Sequence, residues 1–161
     1  MNNEVGTKSL HSIAFLLLLI GGLAALAYFL YDALLIMFIW TGITNFYSGV
    51  FAFVGSIADL KGADTIAKIA LYGMGGLIML AFLIFILIYV VFIVKLLKNK
   101  AKPTKQNYLK GVFIISIINL IFAVSGLVGG SYVSLIGLAI HGTIVAGYFI
   151  QSTYKPSDEV K

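Results

Sequence analysis

The chain has 161 residues, of which 61% are hydrophobic and 11% charged, and its mean hydropathy is +1.06. A soluble domain of this length cannot bury so much apolar surface, because its own exterior must face water. The formal net charge is +5, and the absence of cysteine excludes disulfides, thiolate metal sites and cysteine nucleophiles. Since a spanning helix needs about 20 mostly apolar residues, the sequence predicts an all-α integral membrane protein with a single membrane domain.

The first predicted span covers residues 13–40, an apolar run that only Asp32 interrupts. At about 1.5 Å of rise per residue this helix is longer than the roughly 30 Å hydrocarbon core, so it must tilt or extend beyond the membrane. Lys8 before the run and the small residues Ala25 and Ala27 form the pattern of a signal peptide with its cleavage site. Because the apolar run continues past that site, we expect an uncleaved first helix.

The next segment, residues 43–60, has an amphipathic pattern. Its large apolar residues recur at helical spacing, while small and polar residues fall on the opposite side. The pattern predicts a helix that lies in the membrane interface between the first and second spans. The alternative is a fifth span over residues 33–57, with Asp32 in the turn before it.

The remaining apolar stretches predict three further spans. The second covers residues 69–97, the third residues 111–128 and the fourth residues 132–151. Only two glycines and a serine separate the last two, which predicts a tight turn and an antiparallel helical hairpin. The predicted fold is therefore an all-α four-transmembrane-helix bundle with one interfacial helix.

A basic loop over residues 95–110 determines the predicted topology. Lysine-rich loops stay in the cytoplasm, so counting spans from this loop places both termini on the cytoplasmic side of the cell (plasma) membrane. Five spans would place Lys8 outside, against this rule, and we therefore favour four. The loop contains six of the eleven basic residues, all of them lysines: Lys95, Lys98, Lys100, Lys102, Lys105 and Lys110.

The same lysines have two interpretations beyond topology. Beside an anionic leaflet each attracts lipid by about 1 kcal/mol, so anionic lipid is a predicted ligand of the basic loop. The lysines also suit contact with an acidic cytosolic partner. Nucleic acid is not an expected partner, because the basic residues of such a domain would line a folded surface instead of flanking a membrane span.

Two polar residues fall near the middle of the third and fourth spans. Asn119 and His141 each lie eleven positions from Gly130, so a hairpin with its turn there places them at similar depth. Ser116 is one helical turn from Asn119, and Thr143 is close to His141. Polar groups inside a membrane are costly and mark functional sites, so these four residues form a candidate site for a ligand headgroup or a proton relay. The alternative is an interhelical hydrogen bond worth about 1 kcal/mol.

Asp32 is the only carboxylate within an apolar stretch. In a helix that begins near Ile13 it lies close to the outer membrane interface, where an acid is far less costly than at the bilayer centre. The sequence leaves four roles open for this outer-interface acid. They are a solvated carboxylate, a cap of the extracellular helix end, an ion pair with Lys61 or Lys68, and the lining of a cation entrance.

No cofactor and no metal site is predicted. Two axial imidazoles for a haem would have to lie at matching depth on facing helices. The other histidine, His11, lies at the cytoplasmic end of the first span, about half a bilayer away from His141. A zinc site needs three or four ligands, and the chain has two histidines and no cysteine.

Glycines recur in the predicted spans. Small residues let helix backbones approach closely, which is how membrane helices associate when lipid provides no hydrophobic drive. We expect them to support a compact bundle and contact with a membrane-protein partner or with further copies of the chain. The helix-packing candidates are Gly126, Gly130, Gly142 and Gly147.

The sequence contains no Gly-rich phosphate loop and no His-Glu-x-x-His zinc signature, so an enzyme is not expected. We predict a non-catalytic accessory or interaction subunit of a larger membrane complex, of a regulatory or immunity type. The alternative is a homo-oligomeric channel, a small transporter or a lipid-handling protein. Abundant Ile, Leu and Lys without Arg point to an AT-rich, bacterial source.

Overall fold

The computed structural model describes residues 2–58, 62–98 and 107–153 of the chain. Within these ranges the chain is helical and contains no strand. The helices are α1 (Asn2–Ile57), α2 (Ala63–Lys98), α3 (Asn107–Val128) and α4 (Ser134–Thr153). All four contain a stretch that is long and apolar enough to cross a membrane, which confirms the prediction of an all-α multi-pass membrane protein.

A tight turn joins α3 to α4 and ends α3 with a glycine. Gly130 has a φ of +85°, a left-handed conformation that glycine adopts without strain because it has no Cβ. The Ser131 amide donates to the Gly126 carbonyl at 2.9 Å. The Gly130 amide donates to the Leu127 carbonyl, also at 2.9 Å. These two bonds form a Schellman motif, which satisfies carbonyls that the end of the helix would otherwise leave without partners.

The prediction of a separate interfacial helix over residues 43–60 is not supported. Residues 43–57 continue α1 without a break, while residues 59–60 lie outside the described residues. Asp32 is also inside α1, so the alternative of a turn at this residue before a fifth span is not supported either. The physical reason is that this stretch contains no proline, and a glycine within a helix costs only about 1 kcal/mol relative to alanine.

The chain divides into two compact units. The first unit contains Met1–Ala27 and Leu87–Lys161, and therefore includes the start of α1, the end of α2, and both α3 and α4. All four of these helical segments contribute to its apolar core. The core residues are Ala14, Phe15, Leu18, Ala25, Tyr89, Phe92, Ile93, Leu96, Leu109, Val112, Ala123 and Ile144.

Glycines bring α1 and α4 into close contact within the first unit. A Cβ placed on Gly21 would lie 2.6 Å from Cγ1 of Ile144, closer than atoms of this kind approach. A Cβ on Gly147 would lie 2.9 Å from Cγ of Leu18. Each helix therefore offers a glycine where the other places a large apolar side chain, which is the packing expected of membrane helices.

The second unit contains Tyr28–Ile86, and therefore consists of the later part of α1 and the first part of α2. Trp40 connects its two helices, because its indole Nε1 donates to the Leu71 carbonyl at 2.8 Å and its ring fills the space beside Gly75. The rings of Phe29 and Phe85 stack with centroids 5.3 Å apart. Aromatic side chains thus make two of the contacts between these helical segments.

Burial in the later part of α1 is the reverse of that in a water-facing amphipathic helix. The polar residues Thr44 and Ser48 are 0% and 7% exposed, respectively. The large apolar residues Phe46 and Phe53 are both 67% exposed. A helix in an apolar surrounding shows this arrangement, because its small polar residues pack against the neighbouring helix and its large apolar residues face outward. The polar residues of this segment are divided between the two sides, because Asn45 and Ser56 are exposed while Thr44 and Ser48 are buried.

Candidate functional site

The buried polar residues of the first unit lie on the inward face of α4 and on the helices around it. The spacing of three or four positions between the buried residues of α4 keeps them on one face. His141 is 2% exposed and lies between two glycines of this face, of which Gly137 meets the Ala123 side chain of α3 and Gly147 meets Leu18 of α1. The buried face of α4 consists of Gly137, His141, Ile144, Gly147 and Gln151.

Ser116 of α3 and Tyr89 of α2 are both completely buried in the same unit. Their hydroxyls interact with each other. Polar side chains buried inside a membrane protein are costly, and they often mark functional sites. The pair therefore belongs to the candidate site, together with His141.

Tyr89 was not identified from the sequence. Tyrosine in a membrane helix is normally an interfacial residue, whereas Tyr89 lies nine residues before the end of α2 and has no exposed surface. Its position inside an otherwise apolar run was the signal that could have revealed it.

The other two predicted members of the site make their hydrogen bonds within their own helices. The Asn119 amide Nδ2 donates to the Ile115 carbonyl of α3 at 3.0 Å, and the side chain is half-buried. The Thr143 hydroxyl donates to the Ala139 carbonyl of α4 at 2.7 Å. These bonds satisfy polar groups locally, so they need no partner on a neighbouring helix. The structure thus places Ser116 and His141 in the interior, and Asn119 and Thr143 nearer its edge.

A second polar contact joins α1 to α4 in the first unit. Nδ1 of His11 lies 3.1 Å from Oε1 of Gln151, which is buried. An amide oxygen only accepts, so Nδ1 of His11 donates in this bond.

Gln151 follows His141 by ten positions, which is about 15 Å along a helix. The two imidazoles are therefore too far apart to bind one haem iron from both sides. Among the described residues, no group of three His, Asp or Glu side chains could hold a metal ion.

Asp32 lies in the second unit and is half-buried. The Tyr28 hydroxyl, one turn earlier on α1, donates a hydrogen bond to its carboxylate. Lys68 forms its ion pair with Asp64 at 3.6 Å, and Lys61 lies outside the described residues. Asp32 is thus stabilised within its own helix.

The predicted lysine cluster is described in part. Lys95 and Lys98 occupy the last turn of α2, and Lys110 lies in the first turn of α3. All three are exposed. The remaining members, Lys100, Lys102 and Lys105, lie outside the described residues.

The predicted packing glycines have different surroundings. A Cβ on Gly126 would collide with the Ser134 side chain, and Gly147 meets Leu18. Gly130 forms the turn between α3 and α4. Gly142 has nothing within 4 Å of a Cβ. Three of these glycines are therefore needed for the local geometry, and the fourth is not.

Comparisons of this chain with protein families, with curated proteins and with solved structures find no match.

Proposed function

We propose that the protein is a non-catalytic interaction subunit that binds another membrane protein through the helical hairpin of its second unit, residues 28–86. The observation that carries the proposal is a set of glycines with open space beside them. A Cβ on any of the four would meet nothing within 4 Å. These open glycines are Gly42 and Gly49 on α1, and Gly73 and Gly76 on α2.

The spacing of the open glycines supports a helix-binding surface. Gly42 and Gly49 are two helical turns apart and share one face of α1, while Gly73 and Gly76 share one face of α2. A glycine inside a helix costs about 1 kcal/mol relative to alanine, and in membranes a close helix–helix contact offsets that cost. In the first unit, Gly21 and Gly147 already have such a contact. The hairpin glycines have none among the described residues, which favours a partner outside the chain.

The exposed apolar surface of the hairpin supports the same proposal. Phe38 is 79% exposed, and Ile57 on α1 and Leu77 on α2 are each at least 70% exposed. The apolar part of α1, His11–Ile57, is about 70 Å long, roughly twice the hydrocarbon core. Such a surface requires cover by lipid or by protein, because its exposure to water would be unfavourable. Glycine faces offer little surface to lipid and close approach to a helix, and they therefore favour protein.

In this proposal the protein resides in the cell (plasma) membrane of a bacterium, with both termini and the basic loop in the cytoplasm. The positive-inside rule supports that orientation, since Lys95, Lys98 and Lys110 lie at adjoining helix ends. Its effect on the partner would be regulatory or of the immunity type, exerted by contact and without chemistry. The alternative is a homo-oligomeric channel, transporter or lipid-handling protein, in which copies of this chain cover the open glycines.

The test is native mass spectrometry of the full chain purified from its own membrane in a lipid-preserving medium. We expect a second polypeptide in fixed stoichiometry. Gly42→Leu and Gly73→Leu should each remove it, because leucine occupies the contact face. Matched controls are Thr41→Leu and Ala81→Leu, which are exposed and lie at least about 80° around their helices from the open glycines.

Two results would contradict this function. If the wild-type particle contains only copies of this chain and lipid, the homo-oligomeric alternative replaces the proposal. If a partner is present but both glycine variants retain it as the controls do, the binding surface is not the hairpin. Unfolding curves of all four variants, recorded in detergent, check that none of them loses the fold.

A further inference from the structure

A groove opens between α2 and α3 in the first unit. Its volume is about 390 Å³, within the range of roughly 300–1,000 Å³ typical of sites for small ligands. No charged or polar side chain lines it, so hydrocarbon is the material that it accommodates without desolvation cost. Its lining residues are Leu87, Ile88, Val91, Phe92, Gly111, Val112 and Ile115.

Gly111 keeps the groove open on the α3 side. A Cβ there would meet nothing within 4 Å, so the absence of a side chain leaves space that the fold does not fill. The neighbouring residue Val112 is buried and packs in the core, as does Phe92 on α2. The groove therefore lies beside buried core residues of both α2 and α3.

Three lysines lie at one end of this groove. Lys95 follows Val91 by one helical turn and is on the same face of α2, and Lys98 is in the last turn of that helix. Lys110 immediately precedes Gly111. All three are exposed. The groove therefore ends in a cationic rim where two membrane helices reach their ends, which is the depth of lipid phosphates.

The start of α3 adds to the attraction for an anion at this rim. The amino end of a helix carries a partial positive charge that acidic residues normally offset. The first turn of α3 contains no acidic residue and contains Lys110 instead. An anionic group bound at the rim would interact favourably with the lysine side chains and with the helix end.

We infer that this groove binds one anionic phospholipid of the bilayer, with an acyl chain along the apolar lining and the phosphate at Lys95, Lys98 and Lys110. A ligand that fills the groove and reaches this end needs both hydrocarbon and a negative charge, because Lys95 and Lys98 continue the groove-lining face of α2 beyond Val91. A phospholipid of the cytoplasmic leaflet has both. The site would anchor the junction of α2 and α3, and it is independent of the hairpin surface proposed above.

The test uses the full chain, first stripped of lipid in detergent and then supplied with phosphatidylglycerol or with phosphatidylcholine of the same acyl chains. We expect native mass spectrometry to show one retained phosphatidylglycerol in strong preference to phosphatidylcholine. Lys95→Gln and Lys110→Gln should each lower that preference about fivefold. Lys68→Gln, a lysine that pairs with Asp64 elsewhere, is the charge control and should leave it unchanged.

A second set of variants tests the acyl chain. Gly111→Leu places a side chain in the groove and should lower retention of both lipids about tenfold. Gly142→Leu is its control, because that glycine is equally open but lies on α4. Phosphatidylglycerol with a photoreactive acyl chain should label peptides that contain residues 87–92 or 111–115.

Three results would overturn the inference. Equal retention of the two lipids would remove the role of the lysines, and unchanged retention in Gly111→Leu would remove the groove. Displacement of the lipid by millimolar glycerol phosphate would identify a free phosphate site without hydrocarbon. None of these results bears on the partner of the hairpin, so the two proposals can fail separately.

Discussion

The contact between α1 and α4 can be tested with two glycines of α4: Gly147, which faces α1, and Gly142, which has open space beside it. A Cβ on Gly147 would lie 2.9 Å from Cγ of Leu18, 3.1 Å from Cβ of Leu17 and 3.1 Å from the backbone nitrogen of Leu18. Backbone cannot move aside as a flexible side chain does, so Gly147→Ala should force the two helices apart. A Cβ on Gly142, on the same helix, would meet nothing within 4 Å.

The expected difference between the two variants follows from two opposing effects. Replacing glycine by alanine in a helix contributes up to about 1 kcal/mol at either position. Overpacking at Gly147 costs about 1–3 kcal/mol, and at Gly142 it costs nothing. Gly142→Ala should therefore be neutral or stabilising, and Gly147→Ala should be less stable than Gly142→Ala by about 1–3 kcal/mol.

Thermal unfolding of the detergent-solubilised protein, followed by circular dichroism, measures this difference. In a chain of 150–250 residues 1 kcal/mol corresponds to about 2–4 °C, so the two midpoints should differ by about 2–12 °C. Gly21→Ala, which meets Ile144 across the same contact, should behave like Gly147→Ala. Equal midpoints for Gly142→Ala and Gly147→Ala would show that α1 does not approach α4 as described.

Further predictions concern the polar groups and the topology. Trp40→Phe removes the 2.8 Å hydrogen bond to the α2 backbone and should lower the free energy of unfolding by about 0.5–1.5 kcal/mol, with no change expected for Tyr31→Phe, whose side chain is exposed. Ser116→Ala removes the buried hydroxyl that interacts with the Tyr89 hydroxyl and should lower the free energy of unfolding by about 0.5–1.5 kcal/mol; an unchanged free energy of unfolding would contradict this. A cysteine in place of Lys102 should be protected from impermeant thiol reagents in intact cells, and labelling there would reverse the topology.

Much of the fold could be predicted because apolar runs and turn residues act locally. The long apolar runs predicted the four helices, and the Gly-Gly-Ser segment predicted the turn that Gly130 forms. The error at residues 43–60 had a different origin. Helical periodicity separates Thr44 and Ser48 from Phe46 and Phe53, but it does not say which group faces the neighbouring helix. That choice depends on the surrounding solvent, and lipid reverses the choice that water would make.

For the candidate site, the sequence predicted only how far along its helix each residue lies. Counting from Gly130 gives the height of Ser116, Asn119 and His141 along their helices, because the rise per residue is constant. Their direction around the helix axis depends on which helices pack together. The contacts of α4 with α1 and α3 turn His141 inward, while Asn119 remains half-buried and bonds to its own backbone. The burial of Tyr89 depends on the same long-range packing, which no local pattern reveals.

The turn at Gly130 also has a consequence for biogenesis. α4 is the least apolar of the four membrane helices, so it gains the least from leaving the translocon alone. The Schellman motif holds it within a few residues of the more apolar α3, and we expect the two to enter the bilayer together as one hairpin. Gly130→Val, which strains the left-handed backbone, should then leave the C-terminus of some newly made chains on the wrong side. Glycosylation mapping of a C-terminal acceptor site would detect those chains, and uniform orientation would show that α4 inserts without help from its neighbour.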